Sequence, residues 1–324
     1  MGWAAGRLES SDASALVLHR RLGLYIVADK LKNLVPSLGK RGPHRVLTGD
    51  LSFAGIPGRV YVPEEGKSIP GVAFGHDWRV GVDGYHATLR HLASWGIAVA
   101  APDTEKGFVP NHRGFAADLE TALQILAGVR LGQGNVTVQP SNLYLAGHGM
   151  GASTAVLAAT NRAYRTDSIR TGDAPPLAGV VSVFPSDTSP NAYEAAKHVD
   201  VPGLILAAGA LADVPAGSPE RMAANWKGEV FYRKLKKASS TGFHEKLARK
   251  FLLGQGGPEF ANQEEIRGLM TGFILAGEQS KYKAFRSHDE KLDDTEAPGQ
   301  LELARHLPEN ADALDSLQGL QKLI

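Results

Sequence analysis

Short apolar runs alternate with helical stretches through the middle of the chain. A turn rich in Gly, Asp or Pro follows most of these runs, which span 60–62, 72–74, 97–101, 143–146, 180–184, 204–208 and 230–235. Uninterrupted apolar runs are typical of strands buried on both faces of a parallel sheet. Because crossovers between parallel strands are right-handed, the pattern predicts an α/β fold: a doubly wound, mostly parallel sheet with helices on both faces.

Two terminal segments lie outside this rhythm and predict helical extensions. Residues 13–38 carry apolar positions every three or four residues, at Leu24, Val27, Leu31, Leu34 and Leu38, and Arg and Lys interrupt them too often for a membrane span. A second stripe lies at Leu314, Leu317, Leu320 and Leu323. We therefore predict an N-terminal helical extension over 1–45, an α/β domain over 46–286, and a charged linker with a C-terminal helix over 287–324. Each extension either packs on the domain or docks on a partner protein or membrane surface.

Composition narrows the function classes. Lys and Arg number 35 against 34 Asp and Glu, a net charge of +1 that gives no field to attract nucleic acid. The 324 residues include no cysteine, which excludes disulfides, thiolate nucleophiles and cysteine metal sites. The first residues do not resemble a signal peptide, and no apolar stretch reaches the ~20 residues of a membrane helix. We expect a cytoplasmic protein, with any membrane association made through a partner.

A glycine-rich turn links the run at 143–146 to a helical stretch that opens with small residues. Its sequence is Gly147-His148-Gly149-Met150-Gly151. A strand, a sharp turn and a helix in this order form the nucleophile elbow of serine hydrolases, whose flanking glycines allow tight packing. Gly149 stands at the tip, where such an enzyme carries its serine. The turn therefore meets the steric needs of the motif and lacks the nucleophilic hydroxyl.

Partners of a nucleophile should follow later strands, in the order nucleophile, acid, base. Asp213 follows the run at 204–208 and is predicted as the acid, and His244 follows the run at 230–235 and is predicted as the base. The backbone N–H groups of Met150 and His76 are the predicted oxyanion donors.

Other side chains near these positions offer alternative nucleophiles. Asp77, beside His76, is an unconventional candidate; Ser239, Ser240 and Thr241 lie near His244 in sequence, whereas Ser153 should face away from the turn. No spacing of metal ligands occurs, so neither a metal nor a cofactor is predicted.

From about residue 57 to 276, the chain resembles the cutinase-like polyester hydrolases, dienelactone hydrolases and chlorophyllases. The resemblance rests on Gly71-Val72-Ala73-Phe74-Gly75-His76, Leu92-Ala93-Ser94-Trp95-Gly96-Ile97-Ala98-Val99, Pro102-Asp103-Thr104 and Gly147-His148-Gly149-Met150-Gly151. It implies an α/β-hydrolase fold, with Gly149 in the nucleophile position, Asp213 as acid, His244 as base, and His76 and Met150 as oxyanion donors. The chain departs from the family at its serine and at two substrate-clamping aromatics, which are replaced by His76 and Ser186. These departures argue against a polyester substrate.

Three hypotheses about function follow from the missing hydroxyl. Without an atom to acylate, the covalent route is closed, which favours a pseudoenzyme that binds a small ester or lipid-like ligand, or a protein partner. The second hypothesis is an ester hydrolase with residual activity, in which His244 and Asp213 activate water. The third is an ordinary esterase whose serine was deliberately replaced by glycine.

Overall fold

The computed structural model describes residues 29–167, 176–209, 219–245 and 259–306. Nine strands form one sheet: β1 (Val46–Asp50), β2 (Gly58–Pro63), β3 (Gly66–Gly75), β4 (Ala98–Pro102), β5 (Val136–His148), β6 (Leu177–Val183), β7 (Gly203–Ala208), β8 (Val230–Leu235) and β9 (Thr295–Glu296). Their order across the sheet is β1-β2-β4-β3-β5-β6-β7-β8-β9. Strands β4, β3, β5, β6, β7 and β8 pair in parallel, whereas β1, β2 and β9 pair antiparallel.

The described helices cover both faces of the sheet. They are α1 (Leu31–Gly39), α2 (His86–Ser94), α3 (His112–Gly128), α4 (Met150–Asp167), α5 (Ala192–Ala195), α6 (Pro219–Asn225), α7 (Phe260–Leu275) and α8 (Gln300–His306). One apolar core contains buried residues of α1, α2 and α7, and the other contains those of α3, α4 and α6. Strands between two cores need apolar side chains on both faces, which explains the uninterrupted apolar runs. The predicted α/β class, with a mostly parallel sheet between two helical layers, is confirmed.

The N-terminal extension is described only from residue 29 onward. Its helix α1 buries Leu31, Leu34 and Leu38 in the same core as Ile266 and Leu269 of α7. The backbone N–H of Leu31 also donates to Glu290 Oε2, 3.0 Å away in the predicted linker. The apolar side of this part of the extension therefore packs on the chain itself, whereas 13–28 lie outside the described residues.

The predicted charged linker contains a short strand. Thr295 and Glu296 of β9 pair with Leu235 and Lys234 of β8 and so extend the sheet at that edge. Helix α8 follows, while the leucine stripe beginning at Leu314 lies outside the described residues. In the described part of the chain, no helix combines the length and the apolar character needed to cross a membrane.

Candidate functional site

The glycine-rich turn lies between the end of β5 and the start of α4. Gly149 has a φ of +55°, a left-handed conformation that glycine adopts without steric cost. Its neighbour Gly151 packs so closely on β3 that an added Cβ would lie 2.1 Å from the carbonyl oxygen of Gly75. The predicted strand, turn and helix are present. A left-handed backbone explains the glycine at 149, and close backbone packing explains the one at 151.

The carboxylate of Asp77 lies directly over Gly149. Its Oδ1 atom accepts a hydrogen bond from the Met150 backbone N–H at 2.9 Å. A Cβ atom added to Gly149 would lie 2.0 Å from the same oxygen. Asp77 thus occupies the space that a side chain at position 149 would need, and it engages the backbone donor predicted for an oxyanion.

His244 holds the second oxygen of the same carboxylate. Its Nε2 atom lies 3.1 Å from Asp77 Oδ2, and its side chain is almost entirely buried. Burial alone raises the pKa of the Asp77 carboxyl. The hydrogen bond from His244, the charges of His148 and His244, and the Met150 N–H outweigh burial and leave the pKa of Asp77 well below its ordinary value. Asp77 is therefore an anion held on both oxygens.

A second set of hydrogen bonds positions the loop that carries Asp77. The Asp77 backbone N–H donates to the Tyr85 hydroxyl at 3.1 Å, and this hydroxyl lies 2.7 Å from Nδ1 of His148. His148 Nε2 lies 2.8 Å from the carbonyl oxygen of Ser240. Because a carbonyl only accepts, Nε2 carries a proton and donates it to Ser240, while Nδ1 faces the Tyr85 hydroxyl. The chain of bonds ties the Asp77 loop to the segment before His244.

His76 supports the other side of this loop. Its two ring nitrogens lie 2.9 Å from the carbonyl oxygen of Asp77 and 2.7 Å from that of Thr104, and its ring packs on Phe115. The side chain therefore joins the ends of β3 and β4. The carbonyl oxygen of His76 would lie 2.6 Å from a Cβ at Gly151, which places the predicted oxyanion loop against the turn.

Glu245 fixes the position of the residue next to it, His244. Its carboxylate accepts from the first backbone N–H groups of α2, at 2.6 Å from Ala87 and 2.7 Å from Thr88, and pairs with Arg267 at 3.1 Å. The Glu245 N–H donates to the carbonyl of Gly84 at 3.0 Å. A carboxylate at a helix N-terminus satisfies orphan donors and the helix dipole together. The sequence gives no local signal for this cap, because Glu245 and α2 are far apart along the chain.

Asp213, the predicted acid, lies outside the described residues. In the described part of the chain, the carboxylate that contacts His244 is Asp77, which the sequence offered only as an unconventional nucleophile. Tyr85 and His148 were not among the predicted site residues. The loop that begins at Gly75 was the one available signal for Asp77, since a single sequence cannot show that its side chain points at Gly149.

Nearby hydroxyl groups have other partners. Ser153 is buried and donates to the carbonyl of Ser186 at 2.5 Å. The Ser186 backbone N–H donates to the carbonyl of Gly149 at 3.2 Å, so residue 186 does lie beside the turn. The Ser239 hydroxyl donates to Glu259. Neither Ser153 nor Ser239 is positioned as a replacement nucleophile.

Asp77, His148 and His244 also form a potential metal-binding set. One ligand atom of each lies within 4.8 Å of the others, and two histidines with a carboxylate suit zinc or iron. However, both His148 nitrogens already face Tyr85 and Ser240, and the Asp77 oxygens already face Met150 and His244. A metal bound here would have to displace these hydrogen bonds.

No family model matches the chain, and no curated protein is significantly similar to it.

Proposed function

We propose that this chain is an α/β-hydrolase-type protein that lacks serine-hydrolase activity and acts as a ligand- or protein-binding module. Two observations support the hydrolase type. The strand order from β1 to β8 is the order that such doubly wound hydrolases have, and the glycine-rich turn follows β5 near the middle of the sheet. His244 follows β8, as the predicted base should, and its Nε2 contacts the Asp77 carboxylate beside the turn.

The observation that carries the loss of activity is the hydrogen bond between Met150 N–H and Asp77 Oδ1 at 2.9 Å. An ester hydrolase needs this N–H to stabilise the oxyanion that develops during acyl transfer. Here the donor is used by a permanent anion, which also repels a second negative charge in the same place. His244 is engaged as well, because its Nε2 faces Asp77 rather than a hydroxyl group. The site therefore lacks a serine nucleophile, and Asp77 also occupies its oxyanion donor and its histidine.

Asp77 also bears on the hypothesis of a deliberately replaced serine. Removing a serine side chain from a working esterase leaves a gap beside an open oxyanion hole. In this chain, the gap contains a carboxylate bonded to Met150 and His244. The close contact between Asp77 and Gly149 favours a natural glycine at this position over a deliberately replaced serine.

The hypothesis of residual hydrolysis stays open in a changed form. Water activation by His244 requires its Nε2 to leave Asp77, with Asp213 as the proposed acid. A second route uses Asp77 itself, because its carboxylate lies where a nucleophile belongs and His244 adjoins it. Attack of the Asp77 carboxylate on the ester carbonyl would form a mixed anhydride and release the alcohol, and water activated by His244 would then cleave the anhydride to the free acid and regenerate Asp77. The low pKa of Asp77 and its two hydrogen bonds weaken it as a nucleophile.

A series of four proteins tests the proposal: the unchanged chain, Gly149→Ser, Asp77→Ala and the double variant. Each is assayed with p-nitrophenyl esters of several chain lengths. We expect no turnover from the unchanged chain, and none from Gly149→Ser because Asp77 fills the space of the serine. We expect turnover from the double variant, since it has both a nucleophile and a free Met150 N–H.

Hydrolysis by the unchanged chain that is abolished in His244→Ala would overturn the proposal. Mass spectrometry during turnover then separates the two remaining routes. An acyl adduct on Asp77 indicates the mixed anhydride, and its absence together with activity in Asp77→Ala indicates water activated by His244. Binding is measured by thermal shift with the same esters, using Asp77→Ala as the variant with an unblocked site.

A further inference from the structure

A cavity of about 480 Å³ lies away from the glycine-rich turn, between α1, α2, α7 and the start of β1. Its size lies in the range of small-molecule sites. Four permanently charged cations line it: Lys40, Arg41, Arg90 and Arg267. Glu264 is the carboxylate that lines it with them, whereas the whole chain has a net charge of only +1. Basic side chains therefore outnumber acidic ones in the lining of this cavity.

Three of these cations have side chains available for a ligand. Lys40 and Arg41 are exposed and Arg90 is half-buried, and none of the three forms an ion pair with a residue that the structure describes. Lys40, Arg41 and Arg90 outnumber the Glu264 carboxylate that lines the cavity with them, and their mutual repulsion costs stability in the unliganded protein. An anion in the cavity would remove this repulsion.

His91 also contributes to the wall of the cavity. It lines the same cavity, only 6% of its surface is exposed, and its Nε2 atom is buried with no hydrogen-bond partner among the described residues. Burial and the neighbouring charge of Arg267 lower the pKa of His91 to about 4, so the ring is neutral near pH 7. Buried polar atoms in native proteins normally have partners. The cavity thus combines exposed cations with a neutral, almost fully buried ring in its wall.

We propose that this cavity binds a phosphorylated small ligand through its phosphoryl group. Guanidinium groups match the geometry of phosphate oxygens and bind them with two parallel hydrogen bonds, while Lys40 adds a mobile point charge. The limited volume favours a single phosphorylated molecule over nucleic acid, which needs an extended basic surface.

The site also adjoins the residue that positions His244. Arg267 lines the cavity and holds Glu245, both through its own ion pair and through Thr88, to which its Nε donates at 3.0 Å. A phosphoryl group in the cavity competes with Glu245 for Arg267. Because Glu245 directly follows His244, we expect ligand binding to shift the environment of the His244 ring. The phosphate site itself does not rest on the function proposed for the turn, since it shares none of the residues that contact Gly149.

The test measures binding of inorganic phosphate and pyrophosphate to the full chain by isothermal titration calorimetry. We expect saturable binding, tighter for pyrophosphate and weaker at high salt. A triple variant with Lys40→Gln, Arg41→Gln and Arg90→Gln should weaken binding roughly tenfold or more. The matched control carries Lys67→Gln, Arg130→Gln and Lys227→Gln, which remove the same charge from exposed positions outside the cavity. This control should bind like the unchanged chain.

Two results would overturn the proposal: no saturable binding of either probe, or an equal loss of binding in both triple variants. Sedimentation with phosphatidylcholine vesicles, with and without phosphatidic acid, identifies the source of the phosphoryl group. Pelleting that depends on phosphatidic acid and is lost in the cavity variant indicates a lipid headgroup. Pyrophosphate binding without pelleting indicates a soluble phosphorylated ligand. The esterase assays of the Gly149 and Asp77 variants do not depend on these binding measurements. The phosphate site and the proposed loss of hydrolase activity can therefore be disproved separately.

Discussion

Asp77 and Gly149 occupy a single space: the Oδ1 atom of Asp77 lies 2.0 Å from the position that a Cβ atom on Gly149 would take. The two residues are 72 positions apart in the chain, and the Met150 N–H joins them by donating to the same oxygen. A side chain at 149 and the observed position of Asp77 are therefore mutually exclusive. This relationship explains why a glycine fits at position 149 of the turn.

Replacing Gly149 with alanine should destabilise the fold on two counts. The left-handed φ of +55° costs a residue with a Cβ about 1–2 kcal/mol, and displacement of Asp77 adds to this. We expect the free energy of unfolding, measured by urea denaturation, to fall by about 2 kcal/mol or more. Asp77→Ala should reduce the cost of Gly149→Ala, because it removes the clash and leaves only the conformational term.

The matched control for this prediction is Gly128→Ala. Gly128 ends helix α3, lacks a positive φ, and has open space where a Cβ would be added. Alanine there should leave stability unchanged or raise it by up to about 1 kcal/mol. Equal effects of alanine at 128 and 149, or additive effects of Gly149→Ala and Asp77→Ala, would show that Asp77 does not occupy the space over the turn.

The ionised form of Asp77 should stabilise the fold in a pH-dependent way. Its pKa in the folded protein lies below the ordinary value of 3.8, so its contribution is present above that pH and is lost as the pH falls toward the folded-state pKa. We expect the stability difference between the unchanged chain and Asp77→Asn to be constant near neutral pH. The difference should shrink below about pH 4. Urea denaturation at a series of pH values measures it, and a difference that grows on acidification would contradict the assignment.

The fold could be predicted from the sequence because its central strands are buried on both faces. The predicted run at 230–235 coincides with β8 (Val230–Leu235), and the run at 204–208 differs from β7 by one residue. Edge strands lack this signal. In β1 only Val46 is buried, and the other four residues are partly or fully exposed. Strand β9 has only two residues, so neither strand contains an apolar run. Pairing with a neighbour, rather than the local pattern, forms these edge strands.

The site was predictable only where local sequence determines geometry. Close packing requires the glycines of the turn, so the turn could be recognised, and with it Met150. The position of Asp77 depends on Tyr85 and His76, which hold its loop through bonds to separate parts of the chain. No local pattern encodes contacts of this kind. A single sequence therefore predicted the glycine-rich turn but not the carboxylate that lies over Gly149.

The Tyr85 hydroxyl should contribute measurably to the position of the Asp77 loop. Tyr85→Phe removes the acceptor for the Asp77 N–H and the partner of His148 Nδ1 in a buried region. Loss of partners for buried polar groups costs about 1–3 kcal/mol, which urea denaturation will resolve. Tyr282→Phe is the control, because Tyr282 is similarly buried and no described hydrogen bond involves its hydroxyl. Similar losses in both variants would argue against the network.

Glu245 should be required both for the stability of α2 and for the orientation of His244. Glu245→Ala removes the acceptor for the N–H groups of Ala87 and Thr88 and leaves Arg267 without this carboxylate, so we expect a loss of about 1–3 kcal/mol in the free energy of unfolding. Glu65→Ala, at an exposed position with no described side-chain partner, should cost far less.

A general stability effect would not disturb His244 in the folded state, so ring resonances measured by NMR below the unfolding transition provide the second readout. We expect the His244 resonances to shift in Glu245→Ala and to stay unchanged in Glu65→Ala. Unchanged His244 resonances in Glu245→Ala, together with the stability loss, would limit Glu245 to a helix cap.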